Sequence, residues 1–152
     1  NWVIHTKSAE MPAAEVGPTA QIRNSMICDG SRVNGTVTGS VIGPGVVVPA
    51  GCTVVNSIIL PGVTLGAGSY VERTIIDKRV VIGEGAQIGR KQSGQVNAHF
   101  PTLLNTGLTL IGMHSIVPAQ TTIGTNVVIA PRVSASMWQQ QTLADGESLG
   151  IA

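Results

Sequence analysis

Between Ile22 and Gly89 the chain repeats itself. Four times a polar or small residue is followed by Ser or Thr and then two aliphatics: Asn24-Ser25-Met26-Ile27, Gly39-Ser40-Val41-Ile42, Asn56-Ser57-Ile58-Ile59 and Arg73-Thr74-Ile75-Ile76. The steps between copies are 15, 17 and 17 residues. Self-similarity at a fixed period near 20 residues marks a solenoid. Inside each copy runs a finer step of six: Ile42, Val48 and Val54; Leu65 and Val71; Ile76, Ile82 and Ile88. Gly43, Gly66, Gly83 and Gly89 directly follow four of these anchors.

A period of six does not lay an apolar stripe on a helix, which needs positions i, i+3, i+4 and i+7. It suits a short strand and a corner, with the aliphatic anchor pointing inward and glycine taking backbone angles that other residues reach only at a cost. Three such steps close one triangular coil, and stacked parallel strands lie about 4.8 Å apart. The expected fold is all-β, a parallel β-helix of about five to six coils. A thin aliphatic core between coils also accounts for a composition of 3% aromatic and 11% charged residues with 19 glycines.

The boundaries follow from where the rhythm runs. Residues 1–21 read as an extended lead-in, because Pro12 and Pro18 disfavour helix and Trp2, Val3 and Ile4 open the chain on an apolar run. That start reads as the continuation of a longer polypeptide. Residues 22–89 form the first block of coils. Residues 90–107 break the rhythm and collect polar side chains, including Gln95, Asn97 and His99, as an inserted loop. The step of six returns at Ile111, Val117, Ile123 and Ile129, so residues 108–133 form a second block. Residues 134–152 read as a cap over the open parallel edge.

The net charge of +1 gives no electrostatic reason to expect a nucleic-acid partner, and no apolar run is long enough to span a membrane. No signal-peptide pattern is present, and Cys28 and Cys52 read as reduced thiols of a cytoplasmic protein. Charge is unevenly spread. From Arg23 to Arg132 there are eight basic residues and four acids, Asp29, Glu72, Asp77 and Glu84. Arg73 and Arg90 lie 17 apart and are expected to stack on adjacent coils. Like charges at that spacing call for an anionic partner, which Glu72 or a bound phosphate would supply. The alternative is a solvated, locally neutralised face.

The run Arg73-Thr74-Ile75-Ile76-Asp77-Lys78-Arg79-Val80-Val81-Ile82-Gly83 resembles a characteristic segment of glucose-1-phosphate adenylyltransferase, also called ADP-glucose pyrophosphorylase. Asn1-Trp2-Val3-Ile4-His5-Thr6, the Asn24 to Gly30 stretch with Asn34-Gly35-Thr36-Val37, and the return at Gly107-Leu108-Thr109-Leu110-Ile111-Gly112 are similar to that family in the same order. The likeness covers roughly residues 1–133. It implies the family's C-terminal left-handed β-helix domain, or that of a close paralogue, in a homotetramer, joined to an N-terminal catalytic domain. It implies a regulatory and assembly role toward a parent reaction of ATP with glucose 1-phosphate, which gives ADP-glucose and diphosphate in glycogen or starch synthesis. Mg would serve the catalytic domain, and no cofactor is expected in this one. No Gly-rich nucleotide loop occurs here.

In the family, the lysine that Lys78 matches contributes to binding a phosphorylated effector. A second family lysine falls where this chain has Gly112, so the plant-type pair is incomplete. The candidate effector residues are Lys78, Arg79, Arg73 and Arg90, with no catalytic and no metal-binding residue expected. An alternative is a self-contained hexapeptide acyltransferase, which would use His99 or His114 as general base; neither has a neighbour in sequence suited to orient it. A zinc site would need clustered histidines, and the chain has only His5, His99 and His114. A further alternative is the matching domain of another sugar-phosphate nucleotidyltransferase.

Overall fold

The computed structural model describes residues 10–90 and 94–151. The expectations resting on Trp2, Val3, Ile4 and His5 lie outside these residues. The described chain winds into a parallel β-solenoid with three faces. Its first coil holds β1 (Glu15–Val16), β2 (Gln21–Arg23) and β3 (Met26–Ile27), and the second β4 (Arg32–Val33), β5 (Thr36–Thr38) and β6 (Val41–Ile42). The third holds β7 (Val47–Val48), β8 (Thr53–Val55) and β9 (Ile58–Ile59). In the fourth, Thr64 stands in for the first strand before β10 (Tyr70–Glu72) and β11 (Thr74–Ile76). The fifth holds β12 (Val81–Ile82), β13 (Gln87–Ile88) and β14 (Thr109–Ile111), and the sixth β15 (Ile116–Val117), β16 (Thr122–Ile123) and β17 (Val128–Ile129). A short 3-10 turn at Ala135–Met137 leads to β18 (Thr142–Leu143) and β19 (Ser148–Leu149).

All pairings between these strands are parallel, each strand lying on its counterpart in the next coil. We call the faces A, B and C in chain order. Faces B and C each carry seven strands. The expected count was five to six coils. The extra turns come from both ends. Glu15–Val16 pairs with Arg32–Val33 inside the expected lead-in, and much of the expected cap pairs onward as β18 and β19. Both were hidden because the regular step fails there: Gly17 and Pro18 follow β1, and a 3-10 turn replaces the last face-A strand. The stretch between Gly94 and Gly107 carries no strand.

Inside, the anchors form three stacks. Val33, Val48, Leu65, Ile82 and Val117 line face A, and Val37, Val54, Val71, Ile88 and Ile123 line face B. Ile42, Ile59, Ile76, Ile111 and Ile129 line face C, and every one of these residues is essentially inaccessible to solvent. Each fully buried aliphatic contributes about 1.5–3 kcal/mol of transfer free energy.

The repeated Ser or Thr closes the corner between faces B and C. Ser25, Ser40, Ser57 and Thr74 each turn their hydroxyl back to the carbonyl two residues earlier, at 2.7–2.8 Å. The same oxygens accept the backbone N–H of the next rung: Ser40 to Ser25 at 3.1 Å, Ser57 to Ser40 at 3.0 Å and Thr74 to Ser57 at 3.1 Å. The residue before each hydroxyl, Asn24, Gly39, Asn56 or Arg73, has φ between 45° and 61°. The four-residue signature is therefore a left-handed corner residue, a polar rung, one outward aliphatic and one inward aliphatic. Ser57→Ala removes the acceptor from a buried N–H, so it should cost about 1–3 kcal/mol, read as a lower urea midpoint at unchanged slope. An unchanged midpoint would show that the ladder is dispensable.

Candidate functional site

The corner between faces C and A changes character along the solenoid. Its left-handed position is Gly30, Gly45 and Gly62 in the first three coils, with φ of 67–72°. The next three coils place Arg79, His114 and Arg132 there, at φ of 56°, 59° and 63°. Backbone bonds tie these corners into one column: Arg79 N–H to Pro61 O at 3.0 Å, His114 N–H to Lys78 O at 3.0 Å and Arg132 N–H to Met113 O at 2.8 Å. A bulky residue in this conformation costs on the order of 1 kcal/mol. Successive corner backbones are set one strand spacing apart, about 4.8 Å along the axis. Lys78, Arg79, His114 and Arg132 are all exposed. Asp77 turns a carboxylate oxygen to the Lys78 N–H at 2.7 Å. Lys78, Arg79 and Arg132 make this edge basic, with His114 between the two arginines.

The four expected effector residues do not converge. Lys78 and Arg79 lie on this edge. Arg73 lies on the corner between faces B and C, where Nη2 donates to Thr106 O at 2.5 Å. Arg90 leaves β13 and places its guanidinium 4.4 Å from the centre of the Tyr70 ring. The expected Arg73–Arg90 pair is thus divided between a carbonyl and an aromatic face, so no shared anion is needed to hold them. His114 and Arg132 were not singled out as effector residues. Their signal in the sequence is their offset of three from Ile111 and Ile129, the offset that Gly45, Gly62 and Arg79 keep from their own anchors Ile42, Ile59 and Ile76.

Beside Arg90, the Tyr70 hydroxyl donates to Glu72 at 2.8 Å. Burial raises the Tyr70 pKa above its ordinary 10.0, the bond and charge of Glu72 raise it further, and the Arg90 charge opposes them. The folded state thus favours the protonated phenol.

The two histidines among the described residues lie apart. His99 sits in the insertion and His114 on the cationic edge, both exposed. No group of three or more His, Cys, Asp or Glu that could hold a metal occurs among the described residues. Both thiols are free: Cys28 is half-buried, and Cys52 is buried with Sγ 2.9 Å from Ser69 Oγ. Burial pushes the Cys52 thiol up, which disfavours its thiolate.

Between the two edges runs face C, whose outer surface is one apolar column. Met26, Val41, Ile58, Ile75, Leu110 and Val128 are consecutive register partners. The matching column on face B is Gln21, Thr36, Thr53, Tyr70, Gln87, Thr122 and Thr142. No helix among the described residues is long and apolar enough to cross a membrane.

Residues 7–111 match the family described as GlmU-like, C-terminal hexapeptide. The chain belongs to that family. Its relatives include glucose-1-phosphate adenylyltransferases. The enzyme of Thermotoga neapolitana is 47% identical over 147 residues, covering 97% of this chain and 34% of the relative. That of Lachnospira eligens is 48% identical over 145 residues, with 95% and 34% covered. That of Acetivibrio thermocellus is 30% identical over 148 residues, with 97% and 34% covered. The chain spans about a third of the length of these relatives and corresponds to their C-terminal third. Among solved structures, the acetyltransferase domain of PglB from Neisseria gonorrhoeae is similar at 20% identity and a TM-score of 0.44, over 91% of this chain and 54% of that one.

Tyr70 is the one tyrosine of the chain, so its phenolate absorbance titrates it alone. Its midpoint should lie above 10.0. A folded pKa above the unfolded one gives stability that is complete below the unfolded value and lost as pH rises through the folded value. Unfolding midpoints should therefore fall as pH is raised beyond about 10, and less steeply in Tyr70→Phe. A midpoint at or below the ordinary value would contradict the Tyr70–Glu72 bond.

Proposed function

We propose that this chain is the regulatory and assembly domain of a cytoplasmic glucose-1-phosphate adenylyltransferase. The transfer of adenylyl from ATP to glucose 1-phosphate, with its Mg requirement, belongs to a catalytic domain that precedes it. The chain by itself is not catalytic on this reading. The observation that carries the proposal is the corner between faces C and A. There Arg79, His114 and Arg132 replace glycine on three successive coils and flank Lys78. Keeping two arginines and a histidine where glycine is cheaper is a cost that stability does not explain and that binding a phosphorylated metabolite does.

The outer column of face C supports the assembly half of the proposal. Six aliphatic or thioether side chains in register form a strip that water solvates poorly. The catalytic domain of the same polypeptide, or another subunit of a homotetramer, is the expected occupant. The choice of parent reaction is supported by the relatives, glucose-1-phosphate adenylyltransferases that align with 95–97% of this chain.

The test is thermal unfolding with fructose 1,6-bisphosphate, 3-phosphoglycerate, AMP and acetyl-CoA, each against the chain and against Lys78→Ala, Arg79→Gly and Arg132→Gly. Glycine holds the same turn at Gly45 and Gly62, so the two glycine variants should stay within about 1 kcal/mol of the parent stability. At least one phosphorylated metabolite should raise the midpoint, by an amount set by its concentration over its Kd, and each variant should reduce that rise. Stabilisation by acetyl-CoA alone would replace the proposal with a hexapeptide acyltransferase.

A further inference from the structure

On the opposite edge, where faces B and C meet, the insertion folds back over the coils and leaves a cleft of about 340 Å³. Its walls are tied down. Asn97 is fully buried and donates to Asn126 O at 2.9 Å and Glu147 O at 3.1 Å, while its Oδ1 accepts the N–H groups of His99 and Phe100. Asn126 Oδ1 accepts Gly107 N–H at 2.7 Å, and its Nδ2 donates to Gln95 O at 2.9 Å. Asp145, also buried, accepts Gly94 N–H at 2.6 Å and Thr125 N–H at 2.7 Å. These bonds pin the described part of the insertion to the coils beside the cleft.

Three residues lining it carry side chains with unspent hydrogen-bonding capacity. Thr125 is 4% exposed, and its hydroxyl has no partner among the described residues. A buried hydroxyl left unpaired is destabilising and is rare in folded proteins. Arg73 carries five N–H donors, of which the bond to Thr106 O uses one. It also occupies the left-handed corner that Asn24, Gly39 and Asn56 hold in the coils before it, at φ 45°. Glu72, beside it, has one carboxylate oxygen bonded to Tyr70 and the other available as an acceptor.

We propose that this cleft binds an uncharged polyhydroxy molecule of monosaccharide size. A hydroxyl group can accept from a guanidinium and donate to a carboxylate at once, and adjacent hydroxyls do so from neighbouring atoms. Adjacent hydroxyls would bridge Arg73 and Glu72, and a further one would meet Thr125. An anion would be favoured by Arg73 but opposed by Glu72 in the same small space, and a cation would meet the reverse. The volume lies at the lower end of the range for small-ligand pockets. The site is on a different edge of the solenoid from the cationic column and stands independently of the function proposed for that column.

The test is an amide-resolved NMR titration of the chain with D-glucose, sorbitol and inorganic phosphate as probes. A neutral polyol should shift the signals of Gly94, Thr106 and Gly107 saturably. Arg73→Asn, which restores the residue used at Asn24 and Asn56, should keep the fold and abolish the shifts. Glu72→Gln keeps the shape of the side chain and should weaken binding, and Thr125→Val should weaken it about fivefold. Shifts by phosphate at lower concentration than by either polyol would overturn the proposal. So would polyol binding that survives Arg73→Asn, or the absence of any shift up to the solubility limit of the probes.

Discussion

Each coil must turn three times within about 17 residues, and most strands between the turns are only two or three residues long. Elements that short have no stability of their own, so the fold depends on the corners. A corner reverses direction only if one residue accepts left-handed angles and if the polar groups exposed at the bend find partners. The column of Ser25, Ser40, Ser57 and Thr74 meets the second condition: each hydroxyl bonds within its own coil, and those of Ser25, Ser40 and Ser57 also accept from the next. Once those corners coincide, the inward side chains have nowhere to stack but on each other. The continuous columns of valine and isoleucine follow.

The same constraint governs where anything else can be placed. Inward positions are committed to the core. Outward positions on a face repeat once per coil, so a preference for aliphatics at one position becomes a strip along the whole molecule, as on face C. Corner positions also repeat, so exchanging glycine for arginine or histidine in three successive coils creates a basic edge. The insertion obeys this logic too. It leaves after β13 and returns at β14, and Ile76 still pairs with Ile111 across it. An excursion at a corner leaves the stack of coils unbroken, and its inner surface is free to enclose a cleft.

Much of this was legible in residues 22–89 and 108–133, because a solenoid writes its three-dimensional neighbours as a fixed interval along the chain. The interval itself disclosed the parallel stack, the inward anchors and the insertion. Where the interval lapses, legibility lapses with it. Gly17 and Pro18 hid the pairing of Val16 with Val33, and the 3-10 turn at Ala135–Met137 hid that of Leu143 with Ile123. Of the basic residues, Lys78 and Arg79 stood out through the segment that contains them. His114 and Arg132 did not, since the insertion and a longer step of 18 separate them from Arg79 along the chain while the coils bring all three into one column.

By itself, then, the sequence determined the architecture: the period set the coil, the anchors set the core, and the segment from Arg73 to Gly83 indicated the family. The tertiary structure decided which charges share an edge and what surrounds the insertion. Arg73 and Arg90 are one interval apart in sequence, yet one guanidinium turns to the carbonyl of Thr106 and the other to the ring of Tyr70. Such choices depend on side-chain rotamers and on contacts supplied by segments with no repeat. Periodicity constrains where the backbone goes, and says nothing about where a long flexible side chain finds its partner.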